Sequence, residues 1–124
     1  MKLSLRFHHE RGLRSGITEN VSATGMYVLA SHIPSAGQLL HMTLIAPPNS
    51  GRIEVLTEVR WGRSVASLDF PQPGFGVHFI EIAAADKDQE ALIALLESLS
   101  VVGARSLVHI ETRDNTPLAV CRFA

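Results

Sequence analysis

The run Asn20-Val21-Ser22-Ala23-Thr24-Gly25 places a side-chain amide, a hydroxyl and a glycine within six residues. It lies between two stretches of β-type alternation, so Asn-x-Ser-x-x-Gly describes a tight turn. Such a turn can offer an amide, a hydroxyl and several backbone N–H groups to one small anionic ligand. The same residue types also hold turns together with no ligand involved. Asn20 and Ser22 can bond nearby backbone N–H groups, and Gly25 can satisfy a need for positive φ. Both roles are open at this point.

Other residues with chemical potential do not form constellations. His8, His9, His32, His41, His78 and His109 are scattered, without the paired spacing on one helix that a metal site uses. Cys121 sits in an apolar tail segment and reads as a small core residue. No Gly-x-Ser-x-Gly, Walker loop or paired-carboxylate arrangement occurs, so no enzymatic activity is expected. Glu10-Arg11 and Asp86-Lys87-Asp88 read as solvated charges. Trp61 reads as an aromatic on a sheet face, and an exposed tryptophan there would mark a partner contact.

These residues must be positioned by a modest chain. Its 124 residues suit one domain, and with 46% hydrophobic and 19% charged residues it can build a core. The net charge of −1 argues against general nucleic-acid or anionic-membrane binding. No apolar run is long enough to cross a membrane as a helix. The alternating start, Met1-Lys2-Leu3-Ser4-Leu5-Arg6, lacks the apolar centre of a signal peptide. One cysteine cannot form an internal disulfide, and a cytoplasmic location is the simplest expectation.

Periodicity predicts mostly strands. Leu3, Leu5 and Phe7 alternate with polar residues over 2–8, and Glu10-Arg11-Gly12-Leu13 reads as a reversal. A second strand is expected over 14–21, then the 20–25 turn, then a strand over 26–30. Pro34-Ser35-Ala36-Gly37 marks a loop, and 38–45 alternates through Leu40, Met42 and Leu44. Pro47-Pro48-Asn49-Ser50-Gly51 is a turn cluster. Ile53, Val55, Thr57, Val59 and Trp61 are expected to share one strand face. Residues 64–74 read as a loop, in which Val65-Ala66-Ser67-Leu68 could lengthen a hairpin. Phe75, Val77 and Phe79 alternate, while Ile80 and Ile82 change parity, so the strand ends or bulges there. Six short strands suit a closed antiparallel barrel.

A helix is expected next, with Asp86 and Asp88 near its start and Leu92, Leu95, Leu96 and Leu99 as one apolar stripe covering a barrel mouth. Gly103 is its expected stop. The tail reads as a hairpin, Leu107-Val108-His109-Ile110 and Leu118-Ala119-Val120-Cys121 around Arg113-Asp114-Asn115-Thr116-Pro117. The first of these segments is expected to add a strand or cover a barrel edge.

Several of these pieces, in this order, resemble the PilZ domain family of bacterial receptors for cyclic di-GMP. Ile17-Thr18-Glu19-Asn20-Val21-Ser22-Ala23-Thr24-Gly25-Met26-Tyr27-Val28 is similar to the family's second strand, signature turn and third strand. Pro34-Ser35-Ala36-Gly37-Gln38 resembles its next loop, and Ile53-Glu54-Val55-Leu56-Thr57-Glu58-Val59-Arg60-Trp61 its long following strand. Gly74-Phe75-Gly76-Val77-His78-Phe79 resembles the last barrel strand. The resemblance covers about residues 1–100 and implies a mainly β fold. That fold is a six-stranded antiparallel PilZ-like β-barrel with a C-terminal α-helix, here with an extra C-terminal β-hairpin. Residues 1–101 are the barrel plus helix, and 102–124 a β extension packed on the same domain.

The resemblance also implies a ligand and a site. Asn20, Ser22 and Gly25 match the family's turn, and Lys2, their expected cross-strand neighbour, could touch a phosphate of cyclic di-GMP. No metal, catalytic residue or resident cofactor is implied. The family's second motif is Arg-x-x-x-Arg, whose arginines contact phosphates and stack on guanine. The numbering places that segment before Met1, so its contribution is expected to be missing. Two such contacts are worth roughly 3–6 kcal/mol, about two to four decades in affinity. Arg11 and Arg14 are expected near the far end of the first hairpin, and Arg6 mid-strand. The resulting expectation is a regulatory adaptor in bacterial cyclic di-GMP-linked signalling. It would act through an unidentified protein partner, as monomer or homodimer, with weak or no nucleotide binding. A cyclic di-GMP receptor using the 20–25 turn is the alternative.

Overall fold

Leu3, Leu5 and Phe7 are buried while Ser4 and Arg6 between them are exposed, so the first strand presents one face to the core as its alternation predicts. The computed structural model describes residues 3–9, 12–46, 51–63 and 72–123. Lys2, the reversal at Glu10-Arg11, the Pro47-Pro48-Asn49-Ser50 part of the turn cluster and the loop at 64–71, including its possible hairpin extension, lie outside the described residues.

Six strands form the barrel: β1 (Ser4–His9), β2 (Gly12–Val21), β3 (Gly25–Leu29), β4 (Leu39–Ala46), β5 (Gly51–Arg63) and β6 (Gly74–Ala85). Their order is β3-β2-β1-β4-β5-β6, and an antiparallel β3–β6 pairing closes the ring. Phe7 and Phe75 meet edge to face inside it, with ring centroids 5.5 Å apart. The two buried threonines are satisfied. The Thr18 hydroxyl accepts a bond from the Leu3 N–H at 2.7 Å, and the Thr57 hydroxyl donates to the Leu40 carbonyl at 3.0 Å.

Bulges on β6 and β5 change which of their side chains face inward. Thr57 lies opposite Phe79 and Leu56 opposite Glu81, leaving Ile80 unmatched. The parity change at Ile80 is therefore a bulge, and β6 continues to Ala85. On β5, Val59 lies opposite Val77 but Trp61 opposite Gly76, leaving Arg60 unmatched. This corrects the expected face: Trp61 leaves the inward row of Ile53, Val55, Thr57 and Val59 and is 40% exposed. The second strand also starts at Gly12, two residues before its expected start.

A 3-10 turn (Asp86–Asp88) leads into α1 (Gln89–Ser98). Leu92, Ile93, Leu95, Leu96 and Leu99 are buried in one cluster with the barrel interior. Each such side chain contributes about 1.5–3 kcal/mol through burial. The helix stops before the expected Gly103. Ser100 adopts φ 61°, its N–H donates to the Glu97 carbonyl, and the Val101 N–H donates to the Leu96 carbonyl, both at 3.0 Å. That is a Schellman closure with serine in the left-handed position. Gly103, at φ 68°, instead precedes a short second helix, α2 (Ala104–Leu107).

The tail forms β7 (His109–Arg113) and β8 (Thr116–Arg122). Asp114 and Asn115 join them, both with positive φ, the backbone that a two-residue hairpin turn requires. β8 pairs with β6 over Glu81–Ala85, and β7 lies outside it at the sheet edge. The expected added strand at 107–110 is present from His109 onward as part of β7, while Leu107 ends α2, and β8 is the strand of the tail that pairs directly with the barrel. β6 thus pairs with β3 over its first half and with β8 over its second.

Candidate functional site

Val21 lies opposite Met26 at the end of the β2–β3 hairpin, so the residues between them form the expected turn. Glu19 is bulged out of register, with Thr18 opposite Val28 and Asn20 opposite Tyr27. Lys2 and the side chain of Asn20 lie outside the described residues.

Ser22 turns inward on its own loop. Its N–H donates to the Gly25 carbonyl at 2.9 Å, and its hydroxyl donates to the same oxygen at 3.2 Å. The Thr24 N–H reaches the Ser22 Oγ at 3.4 Å. The Ser22 hydroxyl thus performs the turn-closing role available to a serine in this position.

Gly25 is needed for a different reason from positive φ, which Gly37 and Gly103 adopt and Gly25 does not. A Cβ on Gly25 would lie 2.1 Å from the Val77 carbonyl oxygen. The glycine lets β3 approach β6 closely. The Phe79 N–H donates to the Thr24 carbonyl at 2.8 Å, which fastens the turn to the same strand.

An aromatic platform adjoins this turn. Tyr27 and Trp61 both lie opposite Gly76, one from each neighbouring strand. Their rings stack across it with centroids 5.2 Å apart and planes 18° apart. A Cβ on Gly76 would come within 2.5 Å of Trp61 Nε1, and one on Gly74 within 2.7 Å of the Tyr27 hydroxyl oxygen. The Gly-x-Gly pair therefore makes room for two stacked rings, of which Tyr27 is buried and Trp61 is partly exposed. The Tyr27 hydroxyl donates to the Gln72 carbonyl at 3.2 Å. Burial pushes the Tyr27 phenol above its ordinary value, and the nearby Arg63 charge opposes that shift. A platform of this kind can take a flat ring or an apolar group of a partner. Tyr27 was not singled out from the sequence. Its signal was the glycine at position 76, which leaves space between flanking strands.

The arginines nearest in sequence are elsewhere. Arg14 lies opposite Phe7, six residues along β2 from Asn20, a separation of roughly 20 Å in extended backbone. Arg6 is mid-strand between Ser15 and Thr43. Cys121 is buried, and burial raises its thiol above the ordinary value, which disfavours the reactive thiolate. Among the described residues, no three His, Cys, Asp or Glu side chains group as metal ligands. No helix among those residues is long and apolar enough to cross a membrane.

Residues 1–98 match the family model described as PilZ domain. Comparison with curated proteins gave no match. Among solved structures, the Bacillus subtilis inhibitor of motility, MotI/DgrA, is similar in fold, with a TM-score of 0.59 and 20% sequence identity. The match covers 83% of this chain and 48% of that one, so the chain accounts for about half of that protein's length.

Proposed function

The chain belongs to the PilZ domain family, and from that premise we propose that it is a non-enzymatic regulatory adaptor in cyclic di-GMP-linked signalling. It works in the bacterial cytoplasm by engaging another protein, with weak or no binding of the nucleotide itself. The observation that carries this reading is the Ser22 hydroxyl. Its bonds to the Gly25 carbonyl and from the Thr24 N–H engage its proton and one lone pair within the turn, so donation to a ligand would compete with turn closure. The likeness in fold to an inhibitor of motility makes control of motility one setting for such an adaptor.

A receptor reading is favoured by one specific feature. The Tyr27–Trp61 stack adjoins the signature turn, and a guanine ring could be placed against such a platform. Calorimetric titration with cyclic di-GMP into the high micromolar range separates the two. The adaptor reading expects no saturable heat. Saturable low-micromolar binding that disappears in both Asn20→Ala and Ser22→Ala would replace it with the receptor reading.

A further inference from the structure

Strand pairing closes the barrel ring, yet one stretch of it is bordered on one side only. β2 pairs with β1 from Gly12 onward, whereas its pairing with β3 begins at Ile17. Past Leu29 the chain of β3 stays with the approach to β6, where the Ala30 N–H donates to the Pro73 carbonyl at 3.3 Å. β2 and β3 therefore diverge at Ile17. Among the described residues, no strand lies beside Gly12–Gly16 on the side away from β1. An open trough of about 1290 Å³ is lined by Leu13, Ser15 and Gly16 of β2 and by Ala30, Ser31, Gln72 and Pro73 of the diverging chain. The gap between β2 and β3 is part of that trough.

The parity of the ladder shows what this edge offers. The Thr18 N–H donates to the Leu3 carbonyl at 2.9 Å, so Thr18 turns its N–H toward β1. The register with β1 is regular from Gly12 to Ile17, and backbone direction alternates along an antiparallel strand. Gly12, Arg14 and Gly16 thus bond toward β1. Leu13 and Ser15 each direct an N–H and a C=O into the gap. An extended segment lying there satisfies those groups and its own together, which is strand addition. An antiparallel segment gives the stronger pairing.

Side chains beside the edge set the chemistry of the occupant. Directly opposed residues share a sheet face, so added residues opposite Leu13 and Ser15 lie on the outer face. Leu13 is 56% exposed there. Ser15 lies opposite Arg6 on β1, and the row continues through Thr43 to Glu54. Arg6 is exposed and has no carboxylate partner among the described residues. Glu54, at the far end of the row, accepts a bond from the Thr43 hydroxyl at 2.8 Å and lies 3.5 Å from His41. An added strand runs two strand spacings from Arg6, about 9–10 Å, with only the short Ser15 side chain between. An arginine and a glutamate close that distance together. The β2 edge of a second copy would bring Gly-Leu-Arg-Ser-Gly, with no carboxylate for Arg6. We propose that the Gly12–Gly16 edge receives an extended acidic segment of a partner protein as an antiparallel strand. A carboxylate opposite Ser15 meets Arg6, and an aliphatic side chain two residues later covers Leu13. This rests on the adaptor reading and supplies the chemistry of its partner.

The test titrates the full, isotope-labelled chain by NMR with a peptide of about eight residues, an ordinary strand length, carrying Glu-Thr-Ile at its centre. In the free chain the Leu13 and Ser15 amides should exchange rapidly and the Arg14 amide slowly. Bound peptide should slow the first two. Lysine in place of the peptide's glutamate should weaken binding by roughly fivefold or more, and Arg6→Glu should reverse that preference. N-methylation of the glutamate and isoleucine nitrogens removes the donors that face β2 and should abolish binding. N-methylation of the threonine between them alters a nitrogen that points away and should leave binding in place. That contrast separates strand addition from docking by side chains alone. Ser15→Pro removes a donor of the open edge, leaves the pairing with β1 intact, and should also abolish binding. No saturable shifts, equal binding of the glutamate and lysine peptides, or equal binding of the two N-methylated peptides overturns the proposal. So does protection of both amides in the free chain, because the edge is then already covered by the chain itself or by a second copy. A cyclic di-GMP titration of the same sample keeps the two readings separate. Strong nucleotide heat removes the adaptor reading, whereas absent peptide binding without such heat removes only the strand-addition proposal.

Discussion

Gly25 and Gly76 lie on adjacent strands and create space for different kinds of neighbour. A side chain at Gly25 would strike the Val77 backbone oxygen, whereas one at Gly76 would strike the movable indole of Trp61. Backbone cannot step aside cheaply, but a partly exposed ring can. Gly25→Ala should therefore cost about 1–3 kcal/mol in urea denaturation, the usual range for an overpacked site. Gly76→Ala should cost less and instead change the fluorescence of Trp61, the single tryptophan of the chain. Equal stability losses with unchanged emission would refute this distinction. Both glycines were visible in the sequence as parts of motifs. Their reasons were not, because close approach between strands depends on which strands become neighbours. The same limit applied to Trp61, whose outward position follows from the bulge at Arg60.

The β7–β8 hairpin is held from outside by charges and from inside by apolar side chains. Arg113 makes two bonds to Glu81, at 2.6 and 3.1 Å, while Arg122 and His109 bond to Glu111. Hydrogen bonds from Arg122 first, then His109, bring the Glu111 carboxyl from its usual 4.5 down to about 2. A carboxyl lowered in the folded state stabilises that state above its unfolded pKa and loses the contribution as pH falls through the folded one. The gap in melting temperature between wild type and Glu111→Gln should therefore be full near neutral pH. It should close between about pH 4.5 and 2. A gap that stays constant across this window would mean that Glu111 does not act through its charge. Strands of this kind were legible where one face is apolar, as in Leu40, Met42 and Leu44. The helix stripe was legible for the same reason. β2 was harder to read, because its exposed side carries Leu13 and Ile17 while Gly16 and Thr18 face inward. Its pairing is fixed by its neighbours more than by its own pattern.

At the scale of the molecule, barrel, helix and tail share one interior. Leu92, Ile93 and Leu96 belong to the same buried cluster as Phe7, Val55 and Phe79, and so do Ala104, Ala119 and Cys121. Removing residues 104–124 would take away buried side chains and uncover the Glu81–Ala85 edge of β6. The truncated chain should melt roughly 10 °C or more lower, or associate through that edge. A monomer with an unchanged melting temperature would show that the extension is not part of the cooperative unit. The barrel order was legible because six strand signals matched one known arrangement. The place of the tail was not, since nothing in Leu118-Ala119-Val120-Cys121 names β6 as its partner. Only the ring's geometry shows that β3 occupies the first half of that strand and leaves the second half open.

That division of β6 has a consequence for biosynthesis. A chain emerging from the ribosome completes β6 after all five strands that ring it, so Gly74–Phe79 meets its neighbours at once. The Glu81–Ala85 portion must wait for β8, which is translated later and pairs with it in the finished fold. A barrel formed in that interval would carry an unsatisfied rim at Glu81–Ala85. Any delay in delivering β8 would lengthen its exposure, and a chaperone that recognises open strand edges would find its target there.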